Sequence, residues 1–111
     1  MGEIKTFEDL ECWSYARELT LRVYHCTAHA VEAKDYGFAD QMRRAAISVM
    51  NNIAEGFERD TNADTMKFLF IAKASSGEVR SMTYAGLDLG YFTAEQSEEI
   101  TELSIRCSKT T

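Results

Sequence analysis

The chain has 111 residues, of which 45% are apolar, and this predicts one domain with a real core rather than a disordered segment. Proline is absent and only six glycines occur, which favours helices over a strand-rich domain with many turns. The net charge of −6 argues against a uniformly basic nucleic-acid binder. Acidic residues predominate toward both ends, whereas residues 34–80 are balanced and leave room for a local positive patch.

The chain shows no targeting or membrane-spanning pattern. Its first residues contain no apolar run of the kind that forms a signal peptide, and no stretch approaches the ~20 apolar residues of a membrane span. Cys12, Cys26 and Cys107 are an odd and widely spaced set, which is typical of reduced thiols. We therefore expect a cytoplasmic protein without a membrane partner.

Apolar residues that recur every three or four positions predict four helices, at about residues 7–32, 38–59, 62–89 and 94–108. Thr6 or Asp9 can cap the first helix, and Gly37 can adopt the positive φ that turns the chain after it. Thr93 and Gln96 form a capping box at the start of the last helix. Four helices predict the all-α class. Because the connections between them are short, we expect an antiparallel up-down-up-down four-helix bundle. The bundle should form a single domain over residues 1–111.

The second and third predicted helices carry apolar residues on more than one side, whereas a helix at the surface of a bundle needs to bury only one. The second has an apolar stripe of Phe38, Met42, Ala45, Ala46, Val49, Ile53 and Phe57, and a smaller strip of Ile47, Met50 and Ala54 on another side. The third is apolar nearly all round at residues 68–72. Gly77 in its interior costs about 1 kcal/mol relative to alanine, which suggests a close neighbour. We expect self-association as a ring or compact closed oligomer. The alternative is that this surface covers the first and last helices of its own chain.

A polar stripe also follows the second helix, and consists of Gln41, Arg44, Ser48, Asn52, Glu55 and Arg59. A solvated face would favour Lys and Glu, whereas Gln, Ser, Asn and Arg make directional hydrogen bonds. We predict a buried or interfacial network that meets Ser75 and Glu78 of the third helix. A plain solvated face and a ligand or nucleic-acid site are the alternatives. Arg43 lies about 100° from Arg44 around the helix, so only one of them can join this network.

Residues that could support catalysis or bind a metal do not form a convincing set. His25 and His29 share a helix face, but two histidines are half a metal site, and a surface or packing role is the simpler interpretation. Ser48 and Ser75 have no histidine at a useful spacing, and no glycine loop could bind phosphates. We expect a non-enzymatic protein without a cofactor or a metal.

Four sequence motifs occur in order between residues 7 and 89. They are Phe7-x-Asp9-Leu10-x-x-Trp13 with Ala16 and Leu19; Tyr36-Gly37 with Gln41-x-Arg43-Arg44-Ala45; Ser48-x-x-x-Asn52-Ile53-Ala54-Glu55-Gly56-Phe57-x-Arg59; and Phe68-Leu69-x-Ile71-Ala72-x-x-Ser75-x-x-Glu78. Together they resemble the 23S rRNA intervening-sequence protein family, which consists of small bacterial four-helix-bundle proteins.

The resemblance implies a left-handed antiparallel bundle that assembles as a homopentamer. It also implies kinship with the accessory variability protein of diversity-generating retroelements, a pentameric barrel that binds nucleic acid and a reverse transcriptase. RNA, DNA or a nucleic-acid-associated protein are therefore the partners to consider besides further copies of the chain. The alternative is a purely structural, self-associating protein with no nucleic-acid role. Two departures from the family pattern are Met50, where a proline is usual, and Ala74, where a glycine is usual.

Overall fold

The computed structural model describes residues 3–111, and this part of the chain is helical without any strand. A 3-10 turn at Phe7–Asp9 precedes five helices: α1 (Glu11–Cys26), α2 (Ala28–Glu32), α3 (Tyr36–Phe57), α4 (Asn62–Asp88) and α5 (Ala94–Thr110). The four long helices are α1, α3, α4 and α5, and α2 is a single short turn after α1. The all-α class with four long helices is thus confirmed.

Each long helix packs against two others: α1 and α4 both contact α3 and α5, and they do not contact each other. Gln41 near the start of α3 donates a hydrogen bond to Glu78 in the second half of α4. Thr65 near the start of α4 donates to the carbonyl of Gly56 near the end of α3, so these two helices run antiparallel. The order around the bundle is therefore α1, α3, α4, α5, with α1 and α4 on opposite corners.

The single helix predicted over residues 7–32 is wrong, because the structure breaks it twice. The Asp9 carboxylate accepts hydrogen bonds from the backbone of Lys5 and Thr6, which holds a 3-10 turn, and Leu10 is extended before α1 begins. The second break is at Thr27, whose hydroxyl donates to the Val23 carbonyl at 2.7 Å. The same hydroxyl accepts a hydrogen bond from the Arg43 side chain of α3 at 2.8 Å, so the break is held against another helix.

The turn between α2 and α3 uses a different residue from the one predicted. Gly37 lies within the first turn of α3, and Lys34 adopts the left-handed conformation at φ 63°. Asp35 then caps α3 by accepting from the Phe38 amide at 3.2 Å. Asp35 also accepts a hydrogen bond from the Tyr91 hydroxyl at 2.8 Å, and this bond raises the pKa of that tyrosine.

The turn between α4 and α5 follows the sequence signals. Gly90 has φ 79°, as suits the residue that ends a helix. The Thr93 side chain accepts from the Gln96 amide, and the Gln96 side chain accepts from the Thr93 amide, at 3.1 and 2.9 Å. This confirms the capping box that begins α5.

The core consists of two clusters of buried side chains along the bundle axis. One surrounds Leu19, Met42 and Ile100, and the other surrounds Ile53, Cys12 and Cys107. Five members of the predicted apolar stripe of α3 are fully or almost fully buried, namely Met42, Ala45, Ala46, Val49 and Ile53. The stripe therefore faces the core, and the polar stripe beside it lies along the junction with α4.

Candidate functional site

The middle of the junction between α3 and α4 contains a small hydrogen-bonded cluster. The hydroxyls of Ser48 and Ser75 are 2.8 Å apart and bridge the two helices. The side-chain amide of Asn52 donates to the backbone carbonyl of Ser48 at 2.8 Å and to the Ser48 hydroxyl at 3.0 Å. All three residues are half-buried. The cluster fixes the register of α3 against α4, because its hydrogen bonds require these positions to face one another.

Three of the four remaining residues of the stripe, Gln41, Glu55 and Arg59, take part in separate, exposed pairs. Toward one end of the junction, Gln41 donates to Glu78 at 3.2 Å. Toward the other end, Arg59 pairs with Glu55 at 3.4 Å, and its guanidinium lies 4.5 Å from the centre of the Phe68 ring. The structure thus brings most of the predicted residues together along one seam, but in three local groups rather than one buried network. Arg43 and Arg44 lie outside these groups.

The adjacent arginines point to different parts of the molecule. Arg43 turns toward the break between α1 and α2, where it donates to the Thr27 hydroxyl at 2.8 Å and the Tyr24 carbonyl at 3.3 Å. Its guanidinium also stacks 4.7 Å from the centre of the Tyr24 ring. Arg44 is exposed, and no hydrogen bond or ion pair joins it to another residue of the described chain. Of the two, Arg44 is the one available to an external partner.

A second surface of interest is the side of α4 that faces away from the bundle. Seven exposed residues without charge follow one another there at spacings of three and four: Ala63, Met66, Phe70, Ala74, Gly77, Ser81 and Tyr84. We call this the outward face of α4. Phe70 is 62% exposed and Tyr84 is 66% exposed. Large aromatic side chains that share one exposed helix face are typical of an interaction surface. The face extends about 30 Å along the helix.

Small residues occupy the centre of this face and large ones its ends. Phe70 and Tyr84 lie seven residues before and after Gly77, and Ala74 and Ser81 lie between them. A Cβ atom at Gly77 would meet nothing within 4 Å. The close neighbour expected at this glycine therefore does not come from residues 3–111 of the same chain. Another helix could approach closely at the centre and contact the aromatic rings at both ends.

Most of the large apolar side chains that the long helices leave exposed lie on α4, whereas the smaller apolar strip predicted on α3 is partly covered by the chain itself. On α3 the strip of Ile47, Met50 and Ala54 is half-buried, and Met50 packs against the core cluster around Ile53. The sequence reasoning also missed which residues of α4 face outward. The alternation of Met66, Phe70 and Tyr84 with small residues at spacings of three and four is the sequence signal that indicates this face.

The cleft between α1 and α5 is lined almost entirely by charged side chains. Arg22 pairs with Glu99 at 3.2 Å, and Arg106 pairs with Glu102 at 2.7 Å. Glu18 and Leu103 complete its lining. Because both arginines of its lining are paired with carboxylates, this cleft offers no unpaired cation to attract an anionic ligand.

No group of three or more His, Cys, Asp or Glu within residues 3–111 could hold a metal ion. His25 and His29 are both exposed, and His29 pairs with Glu32 at 3.8 Å when it is protonated. Within the same residues, each helix is too short or too polar to cross a membrane.

Comparison with known proteins identifies relatives of this arrangement. A family model described as 23S rRNA-intervening sequence protein matches residues 8–111. A crystal structure of a protein with unknown function from the S23 ribosomal protein family of Bacteroides thetaiotaomicron superposes with a TM-score of 0.80. The two chains are 25% identical, and the match covers 88% of this chain and 92% of the other. No curated protein matches the sequence significantly.

Proposed function

Because the chain belongs to the 23S rRNA-intervening sequence protein family, we propose that it is a non-enzymatic bundle whose copies assemble through the outward face of α4. The observation that carries this proposal is the uncharged face with Phe70 and Tyr84 exposed around Gly77. Contiguous apolar surface of this kind marks interaction sites, and burial of one large aromatic side chain stabilises by roughly 1.5–3 kcal/mol. The small residues at its centre fit the close approach of another helix.

A homopentamer is the assembly that the family resemblance supports. A cyclic assembly uses two different faces of every copy, because each copy contacts one neighbour on each side. α1 lies on the opposite corner of the bundle from α4 and exposes Leu21 and Tyr24, at 65% and 41%. We infer that the outward face of α4 in one copy packs against this part of α1 in the next.

The first test replaces Phe70 with glutamate and measures the molar mass by light scattering during size-exclusion chromatography. A carboxylate at a buried contact is expected to reduce the assembly to the monomer, because its desolvation is not compensated. The matched control is Asn51→Glu, which places the same charge on an exposed position of α3 and should keep the mass of the wild type. An unchanged mass for Phe70→Glu, with helicity retained, would exclude this face as the contact.

A second variant distinguishes a ring from a twofold dimer. In a ring, Leu21→Glu should disrupt assembly as Phe70→Glu does, since both faces are needed. In a twofold dimer, the same α4 face is used by both copies. Leu21→Glu would then leave the dimer intact.

The proposed partner of the assembly is nucleic acid, or a protein associated with it, and Arg44 is the residue that supports this best. It is exposed on α3 without an internal partner, and five copies in a ring would repeat it around the axis. Binding through phosphates depends strongly on salt. We expect Arg44→Ala to weaken RNA or DNA binding and to make its salt dependence less steep. Arg106→Ala is the control, since Arg106 is already paired with Glu102.

A purely structural, self-associating role is the second candidate, and two observations favour it. The net charge is −6, and both Arg43 and Arg59 are held by contacts within the chain. This role predicts that the wild type shows no salt-dependent binding of RNA or DNA while the assembly itself is intact. The titration on wild type and Arg44→Ala therefore decides between the two candidates.

A further inference from the structure

Two of the three cysteines meet where α1 begins and α5 ends. The Cys107 thiol donates to the backbone carbonyl of Cys12 at 3.4 Å, and both residues belong to the same buried cluster as Ile53. The Thr111 hydroxyl donates to the backbone carbonyl of Cys107 at 2.6 Å. All three cysteines are free thiols, and Cys26 lies in the other core cluster. Cys12 and Cys107 are therefore a pair, and Cys26 is apart from them.

An apolar cavity of about 230 Å³ reaches one member of this pair. Its lining combines Leu10, Ile53, Phe57 and Leu69 with Cys12, Thr65, Thr110 and Thr111. Cys12 lines the cavity and is 5% exposed, whereas Cys107 is fully buried and is not part of the lining. A small uncharged molecule that enters the cavity would thus meet the Cys12 sulfur first, with Cys107 behind it.

We propose that Cys12 and Cys107 are a peroxide-sensitive pair, in which Cys12 is oxidised through the cavity and Cys107 then closes an intramolecular disulfide. The thiols are reduced in the resting protein, as the sequence predicts. Hydrogen peroxide is small enough for a cavity of this size, and the threonines of the lining offer hydroxyls to which it can hydrogen-bond. The disulfide forms only on exposure to the oxidant and joins two helices at one end of the bundle.

The chemistry balances with hydrogen peroxide as the only co-reactant. The Cys12 thiolate attacks one peroxide oxygen, the O–O bond breaks, and hydroxide leaves, which gives a sulfenic acid at Cys12. The Cys107 thiolate then attacks the Cys12 sulfur, the S–O bond breaks, and a second hydroxide leaves. The protons of the two thiols convert both hydroxides to water. The two sulfurs lose two electrons, and the peroxide is reduced to two waters.

The reaction should become faster as the pH rises. Burial raises the pKa of both thiols, and it raises that of Cys107 to about 11. The thiolate is the reactive form, so its fraction is small at neutral pH and increases toward alkaline pH. At neutral pH the pair should therefore react with peroxide slowly, unlike the cysteine of a peroxidase.

The test counts free thiols after treatment of the full-length protein with hydrogen peroxide. Wild type should retain one of its three thiols, Cys26, and a peptide that contains Cys12 should be joined to one that contains Cys107. The linked residues enclose almost the whole chain, so the melting temperature should rise by roughly 10–30 °C relative to the reduced protein. Retention of all three thiols, a disulfide between different chains, or equal reaction of Cys26 would overturn the proposal.

Two variants check the separate roles of the cysteines. Cys26→Ala should form the same disulfide, because Cys26 is not involved. Cys107→Ala should stop at the sulfenic acid of Cys12, which a cyclic diketone traps. If Cys107→Ala does not fold, the thiol count and linked peptides of the wild type decide the matter alone.

Discussion

Gly86 and Gly37 lie in opposite environments, so a methyl group added at each should have opposite effects on the stability of the bundle. Gly86 is buried on α4 beneath Phe92, and a Cβ atom there would overlap the ring. Phe92 itself is only 3% exposed, so the ring has little room to move. Gly37, by contrast, lies in the first turn of α3 with open space where its Cβ would be.

We therefore predict that Gly86→Ala lowers the free energy of unfolding by about 1–3 kcal/mol, as overpacking of a core does. Gly37→Ala should leave it unchanged or raise it by up to about 1 kcal/mol, because alanine is the better helix former. Urea denaturation of both variants at one protein concentration is the measurement. Equal destabilisation by the two substitutions would contradict the packing described around Phe92.

At the scale of the elements, the seam between α3 and α4 is held by Ser48, Ser75 and Asn52. These residues are half-buried, so their hydrogen bonds are partly shielded from water. A double-mutant cycle of Ser48→Ala and Ser75→Ala should give a coupling of about 0.5–1.5 kcal/mol in unfolding free energy. The cycle of Ser48→Ala with Ser81→Ala is the control, since Ser81 faces outward, and its coupling should be close to zero. Additive effects in the first cycle would mean that the two hydroxyls do not interact.

The elements also show which structural features a single sequence can predict. The start of α5 could be predicted because its signal is local, in Thr93 and Gln96. The break after Cys26 could not, because Thr27 is held by Arg43 from another helix. The turn before α3 was assigned to Gly37, but Lys34 takes the positive φ, since Asp35 is the residue that caps α3.

For the candidate site, the sequence predicts which residues lie together but not how they pair. The polar stripe of α3 and its partners Ser75 and Glu78 follow from helical spacing, which places them on facing sides of two helices. Their division into three groups depends on packing that spacing does not determine. The outward face of α4 was hidden because that helix is apolar on several sides, so its pattern does not indicate which side meets the core.

At the scale of the whole molecule, the described residues combine a closed core with an uncovered apolar face on α4. The described helices bury their apolar stripes against one another, and the α4 residues from Ala63 to Tyr84 leave an uncharged strip about 30 Å long. A monomer would keep this strip in contact with water. The assembly proposed above covers it, and the same contact would bring Arg44 of several copies onto one particle. Self-association is therefore the central claim, on which the nucleic-acid proposal depends.

Sedimentation equilibrium of the wild type over a range of concentrations tests this claim most directly. One chain has a mass of 12.6 kDa, and the proposal predicts a particle several times heavier, with five copies as the expected number. The mass should stay constant upon dilution until the assembly dissociates. A mass of one chain at every concentration would contradict both the contact through α4 and the ring.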